Sequence, residues 1–297
     1  MNTNRTGYKN INSELTEIFG VDITPSIISN LSDEIVSEVK TWQSRPLDSI
    51  YPLVYLGVIK VKTHSDNHIE NTPVYLAIGI NMDGVKDILG LWITKTEGTR
   101  FWRSVLMELK NRGLKDCFIV SVCNLKGFPS VLKTVYPSAK IHLCVAHIIR
   151  HSLRYISGKQ RRDMLIDLQK VYKAGTEEEA QEKLVHFAEK WDVNHPTVSK
   201  YWRDNWDYLA PFFDYPEEVR FITFRINTIL HGQVESLNLS LNTITEALGP
   251  LPVNKVVPIL SLALKNANKK WTMPIQNWKE AMNHFAILFE DRMAQNN

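Results

Sequence analysis

Three apolar runs, "YPLVYLGVIKVKTH", "NTPVYLAIGINMDG" and "KDILGLWITKTEG", follow one another after Arg45, rich in Val, Ile, Leu and Tyr. Such runs predict β-strands. The last two are separated by the turn signal Asn81-Met82-Asp83-Gly84, so an antiparallel meander is expected. The spacing then changes. In "TRFWRSVLMELKNRGLKD", Phe101, Val105, Leu106 and Leu109 recur at helical intervals, and Gly113 stands where a helix C-cap belongs. "CFIVSV" is apolar throughout, the mark of a strand covered on both faces. "LKGFPSVLKTVYP" reads as a short helix and "AKIHLCVAH" as a further strand. The order β-β-β-α-β-α-β, three antiparallel strands extended by parallel ones through helical crossovers, is that of the ribonuclease H-like fold.

The flanking segments are helical. Residues 148–225 carry "RRDMLIDLQKVYKAGTEEEAQEKLVHFAEKW", with Thr176 capping a Glu-rich turn and Leu184, Phe187, Ala188 and Trp191 on one face. Trp202 and Trp206, four apart, read as core aromatics. "VESLNLSLNTI", "VVPILSLALKNANKKW" and "NWKEAMNHFAILFEDRM" predict a last helical part. At the other end, a turn around Gly20 and Thr24-Pro25 opening a second helix give the outline of a helix-turn-helix. Residues 1–41 hold three basic and six acidic residues, however, a net of −3. DNA contact by this segment and a packing or dimerising hairpin stand level. The expected organisation is a helix-turn-helix-like segment over 1–44, the first part of an α/β (α+β) ribonuclease H-like core with a mixed sheet over 45–147, a large helical insertion over 148–225, and a C-terminal helical part over 226–297.

Composition adds little. With 44% hydrophobic and 23% charged residues the 297-residue chain can bury a sizeable core, and a formal charge of +3 points to no partner by itself. The three cysteines, Cys117, Cys123 and Cys144, fall close together with no secretory signal before them, as in a reducing compartment. No apolar run approaches the ~18 residues that a bilayer requires.

In a ribonuclease H-like fold, carboxylates from the first strand, the end of the fourth and a later helix hold two Mg²⁺ ions for phosphodiester chemistry. Here "TWQSRPLDSIYPLVYL", "VYLAIGINMDGVKDILGLWI", "TEGTRFWRSVLMELKNRGLKD", "HLCVAHIIRHSLRYI", "AEKW", "VESLNLSL" and "KKWTMPIQNWKEAMNHFAILFEDR" resemble the Mutator-type insertion-sequence transposases of bacteria, block by block, from about residue 8 to 292. The resemblance implies an Asp-Asp-Glu triad. The first Asp ends a "P-x-V-x-x-D" run, and "PLVYLG" places Gly57 there. The second stands in "V-D-G-L-K-G-F-P", and "VCNLKGFP" places Cys123 there, followed by Asn124. The Glu of "E-S-L-N" is retained as Glu235.

No nearby carboxylate substitutes. Asp48 and Asp66 each lie nine residues from Gly57, about 30 Å along an extended strand, and Asp116 belongs at the opposite end of the strand from Cys123. A Cys123 thiolate suits Zn or Cu(I) rather than Mg²⁺, and the sequence alone favours an inert buried cysteine. Leu239 and Asn242 stand where the family usually has basic residues, and "RINTILHGQVES" is longer than the family's run before its Glu. Cys144 and His147 match a Cys-x-x-His of this superfamily, but two ligands fall short of the four of a structural zinc site, so packing is the expected role.

Residues 149–173 carry Arg150, Arg154, Lys159, Arg161, Arg162, Lys170 and Lys173 against Asp163 and Asp167. With the resemblance behind it, this stretch is expected to contact DNA phosphates without reading sequence. The resemblance further implies a chain beginning late in the family's N-terminal region. By descent it would move an insertion sequence by Mg²⁺- or Mn²⁺-dependent strand cleavage and transfer, acting as a homodimer on terminal inverted repeats and target DNA. It would do so in a bacterial cytoplasm, associated with the nucleoid. With both Asp absent, this copy is expected to be catalytically defective and not to bind the ion. A non-catalytic DNA-binding or oligomerising repressor of an intact transposase, or a pseudogene product, are the alternatives.

Overall fold

The computed structural model describes residues 33–65, 68–123, 126–154 and 156–294. The helix-turn-helix-like reading therefore falls outside the described residues, apart from α1 (Asp33–Gln43), as do Asp66 and Asn124.

Strands β1 (Ile50–Ser65), β2 (His68–Ile80) and β3 (Lys86–Ile93) form the meander. Helix α2 (Thr99–Asn111) leads to β4 (Asp116–Val122), and α3 (Phe128–Val135) to β5 (Lys140–Leu143). The sheet order is β3-β2-β1-β4-β5: β1 pairs antiparallel with β2 and parallel with β4, and β4 parallel with β5. A short β6 (Leu251–Pro252) adds to the far end of β1 beside Thr63 and His64. The expected order is present. Its turn is set by Asn81, whose Oδ1 accepts the amides of Asp83 (3.1 Å) and Val85 (2.9 Å). Gly84 follows at φ 80°, where a Cβ would stand 2.4 Å from the Trp278 ring, so only glycine fits. Gly113 ends the turn after α2 at φ 117°.

The strand pattern separates two cores. Leu53, Tyr55, Ile59 and Val61 point to one face of the sheet, and Val54 and Leu56 to the other. The second face is covered by α2 and α3 through Trp102, Leu106, Phe128 and Leu132, and this core continues into the helical segment. That segment comprises α4 (Val145–Ser152), α5 (Gly158–Tyr172), α6 (Glu177–Trp191), α7 (Pro196–Asp204), α8 (Trp206–Leu209) and a 3-10 turn at Ala210–Phe212. Thr176 caps α6 as its sequence predicts, accepting the Glu179 amide at 3.2 Å. Trp202 is fully buried, its Nε1 donating to Ser152 Oγ at 3.0 Å.

The first face is covered by α9 (Glu217–Leu248), α10 (Val253–Lys270) and α11 (Trp278–Leu288), with α12 (Glu290–Ala294) at the end. At 32 residues, α9 begins inside the helical segment and runs without a break past Glu235. The segment "RINTILHGQVES" thus lies within a single helical register.

Candidate functional site

The site is built on one stripe of α9. Asn227, His231, Glu235 and Asn238 are spaced four, four and three apart, so they share one helix face. Each meets a different element. Asn227 Nδ2 donates to Ser121 Oγ of β4 (2.9 Å, buried), and Asn238 Oδ1 accepts the Lys60 amide of β1 (3.0 Å). Between these anchors, His231 Nε2 shares a hydrogen bond with His147 Nδ1 of α4 (3.3 Å), and Glu235 forms an ion pair with Arg150 of the same helix. His147 and Arg150, three apart on α4, therefore face His231 and Glu235, four apart on α9, as two successive rungs.

Cys123 lies directly after β4 and faces this ladder. Its sulfur is 3.2 Å from the Tyr55 hydroxyl, and the ligand atoms of Cys123, His147 and His231 lie within 4.8 Å of one another. Gly57 joins the same corner: a Cβ there would stand 3.0 Å from Tyr55 Cε1 and 3.5 Å from Tyr55 Oη. Cys144, the N-cap of α4, is fully buried beside Cys123, and its amide donates to Val122 O at 3.0 Å. Gly57, Cys123, Cys144 and His147 thus converge, and Glu235 sits one helical turn from His231.

The electrostatics follow from that packing. The hydrogen bond of Cys144, with those of His147 and Tyr55 added, overcomes burial and holds the Cys123 thiol well below the ordinary thiol range. Burial pushes Cys144 and Tyr55 well above their ordinary values. At His147 burial opposes the charged ring, but the hydrogen bond and charge of Cys123 outweigh it and raise its pKa. Burial lowers that of His231.

Mg²⁺ does not suit these residues. It requires near-octahedral oxygen donors. The corner supplies sulfur, imidazole and phenol, no side chain at Gly57, and a single carboxylate already paired with Arg150. The other acids are elsewhere: Asp116 opens β4 at its opposite end and is held by Arg292 (2.6 and 2.9 Å), and Asp48 lies by Asn81.

The seven basic residues of 149–173 separate into two groups. Arg150 is paired with Glu235, Lys170 donates to Asp167 (2.8 Å), and Arg161 donates to the backbone carbonyl of Leu153 (2.5 Å). Arg161 is exposed, as the sequence-based expectation has it, and through this bond it also closes the end of α4. Arg154 makes contacts of its own. Lys159, Arg162 and Lys173 are exposed with no ion-pair partner among the described residues. At 100° per residue they and Lys170 fall within about 80° of arc on α5, opposite the buried Met164, Leu168 and Val171. His231 is the site residue that the sequence reading overlooked. Its signal was present: it precedes Glu235 by four on a helical pattern.

A β3-β2-β1-β4-β5 sheet, with a later helix carrying a glutamate to the carboxyl end of β4, defines a protein of the ribonuclease H-like class. Within that class the chain belongs to the Mutator family of transposases: the family model "Transposase, Mutator family" matches residues 6–273. Relatives agree. The chain is 38% identical over 286 residues to "Transposase for insertion sequence element ISRM3" of Rhizobium meliloti, covering 96% of this chain and 70% of that protein. It is 34% identical over 308 residues to "Probable transposase for insertion sequence element" of Corynebacterium diphtheriae, covering 96% and 88%. It is also 25% identical over 182 residues to the transposase of IS256 in transposon Tn4001 of Staphylococcus aureus, covering 60% and 47%. Among the described residues no helix is long and apolar enough to cross a membrane.

Proposed function

We propose that this Mutator-family chain retains the DNA-binding scaffold of an insertion-sequence transposase and lacks its metal-dependent strand cleavage. The observation that carries this reading is the corner itself. Gly57 and Cys123 stand at the positions of the family's two Asp, and Arg150 supplies to Glu235 the positive charge that a metal ion would otherwise give. Two-metal phosphodiester chemistry needs several hard oxygen ligands to hold both ions, and one neutralised carboxylate does not hold two.

DNA would lie along the α5 stripe of Lys159, Arg162, Lys170 and Lys173, which tracks phosphates without reading bases. A chain that binds terminal repeats or target DNA in a bacterial cytoplasm without cutting would compete with an intact transposase. It would do so as a homodimer or by entering a mixed oligomer with the intact protein. The deciding experiment is a Mg²⁺- and Mn²⁺-dependent nicking assay on duplexes carrying the element ends. No product is expected. Reproducible cleavage that disappears in Glu235→Gln would overturn the reading.

A further inference from the structure

The three residues that make the corner unsuitable for Mg²⁺ make it suitable for another ion. We propose that Cys123, His147 and His231 form a binding site for a borderline-soft transition metal, with Zn²⁺ the ion that the ligand set fits best. The site goes beyond the reading above, and it holds whether or not the chain cleaves DNA.

One sulfur and two imidazole nitrogens are a zinc-type donor set, and the same set disfavours Mg²⁺ and Ca²⁺. The geometry is close to that of a loaded site. At zinc–nitrogen distances of ~2.0–2.1 Å, two imidazole nitrogens on a tetrahedron are about 3.3–3.4 Å apart. His147 Nδ1 and His231 Nε2 are 3.3 Å apart. All three ligand atoms fall within 4.8 Å, so bringing the sulfur to a tetrahedral separation of about 3.5 Å takes about 1 Å of side-chain movement. The nitrogens now share a hydrogen bond that a metal would replace.

The ligands come from three elements that are fixed independently. Cys123 follows the buried strand β4. His147 lies on α4, whose first turn is tied to that strand by the Cys144 amide on Val122 O (3.0 Å). His231 stands one turn after Asn227, whose side chain is bound to Ser121, two residues before Cys123. A metal would thus find its ligands already arranged.

A further observation points the same way. The Tyr55 hydroxyl lies against the Cys123 sulfur at 3.2 Å, the outer contact that orients a metal-bound thiolate. Three protein ligands leave a fourth position for water, with Glu235 one helical turn from His231 on the same face.

The test uses the full chain, reduced, stripped with a chelator and titrated with Co²⁺ as a spectroscopic substitute for zinc. Saturation at one equivalent is expected, with tetrahedral d–d bands and a thiolate-to-cobalt charge-transfer band. Zn²⁺ should abolish the spectrum and a large excess of Mg²⁺ should not. Cys123→Ser should lose the charge-transfer band, His231→Asn should weaken binding by at least about tenfold, and Tyr55→Phe by roughly 10–100-fold. Cys117→Ser, at the other end of β4, should leave the spectrum unchanged. Circular dichroism identifies any variant that fails to fold, and His147→Asn then substitutes for it. Absence of a thiolate–cobalt band in the parent chain overturns the proposal. So does a band that survives in folded Cys123→Ser or disappears in folded Cys117→Ser.

Discussion

Strand β4 begins at a carboxylate and is followed directly by a thiol, and the two ends are held in opposite ways. At its start, Asp116 is gripped by Arg292 through two charge-assisted bonds (2.6 and 2.9 Å). The same guanidinium donates to the carbonyls of Ser138 and Cys117 (both 2.9 Å) and lies over the rings of Phe118 (4.9 Å) and Phe289 (5.0 Å). At its end, Cys123 meets two histidines and a phenol, and the one carboxylate nearby is turned to Arg150 at the surface. The first arrangement satisfies its own charges, so it fastens the C-terminal helix α12 to the sheet. The second gathers one sulfur and two imidazole nitrogens within 4.8 Å of one another, the grouping on which the proposed metal site rests.

Removing one partner of the first arrangement should give the largest effect. Arg292→Ala leaves Asp116 part-buried and uncompensated, at a cost of about 3–5 kcal/mol. Cys123→Ala removes one sulfur and its hydrogen bonds, for about 1–2 kcal/mol. Urea midpoints measure both, and equal losses would break the contrast between the two ends.

A third histidine shows what an imidazole without a role costs here. His142 of β5 is buried with neither ring nitrogen hydrogen-bonded among the described residues, and burial, aided by Lys140, lowers its pKa from 6.5 to about 3. The folded pKa is depressed, so between pH 3 and 6.5 the unfolded chain binds the extra proton. Stability is therefore fully present above pH 6.5 and falls as the pH drops, by up to about 1.4 kcal/mol per unit. Denaturation curves from pH 7 to 4 should show this limb, and His142→Leu should flatten it. An unchanged limb in the variant would assign the loss to other groups.

On α5 the same division between engaged and unengaged groups can be read in salt. If Lys159 and Arg162 contact phosphates, the double substitution to Ala should lower the slope of log affinity against log salt by about one to two, near 0.9 per contact. Arg161→Ala should leave that slope intact and instead destabilise the end of α4, where Arg161 donates to Leu153 O. The reverse result would exchange their roles.

The smallest effect belongs to the second carboxylate. The side chains of Arg150 and Glu235 are 45% and 44% exposed, so Glu235→Gln should change stability by no more than about 1 kcal/mol. A loss as large as that of Arg292→Ala would mean that the pair is structural, like the one at the start of β4.

Much of the scaffold was legible before the structure because its signals are local. The turn at Asn81–Gly84, the cap at Thr176 and the positive-φ glycine at Gly113, just past the C-cap Arg112, each depend on a few neighbouring residues and backbone angles. Strand and helix periodicity ordered the sheet correctly, since an apolar run such as "CFIVSV" is stable only when covered on both faces. The assignment of Gly57 and Cys123 to the positions of the family's two Asp rests on the same kind of local motif, "PLVYLG" and "VCNLKGFP". The histidine pair was not legible. Cys144 and His147 read as packing residues in one dimension, and the helical spacing of His231 to Glu235 did not show that its ring meets His147, 84 residues earlier.

The sequence by itself determined the elements, their order and the family, since each rests on periodicity, turn chemistry or residue types at fixed spacing. Tertiary structure alone decided which side chains share a point in space. The passage of α9 across the sheet, pinned by Asn227 on Ser121 and Asn238 on Lys60, brings His231 to Cys123 and Glu235 to Arg150. The packing of α5 engaged Arg161 on the Leu153 carbonyl and left Lys159, Arg162 and Lys173 exposed with no ion-pair partner among the described residues. A helix's period fixes which of its residues lie together, but the neighbour that its stripe faces depends on long-range burial that no local window contains.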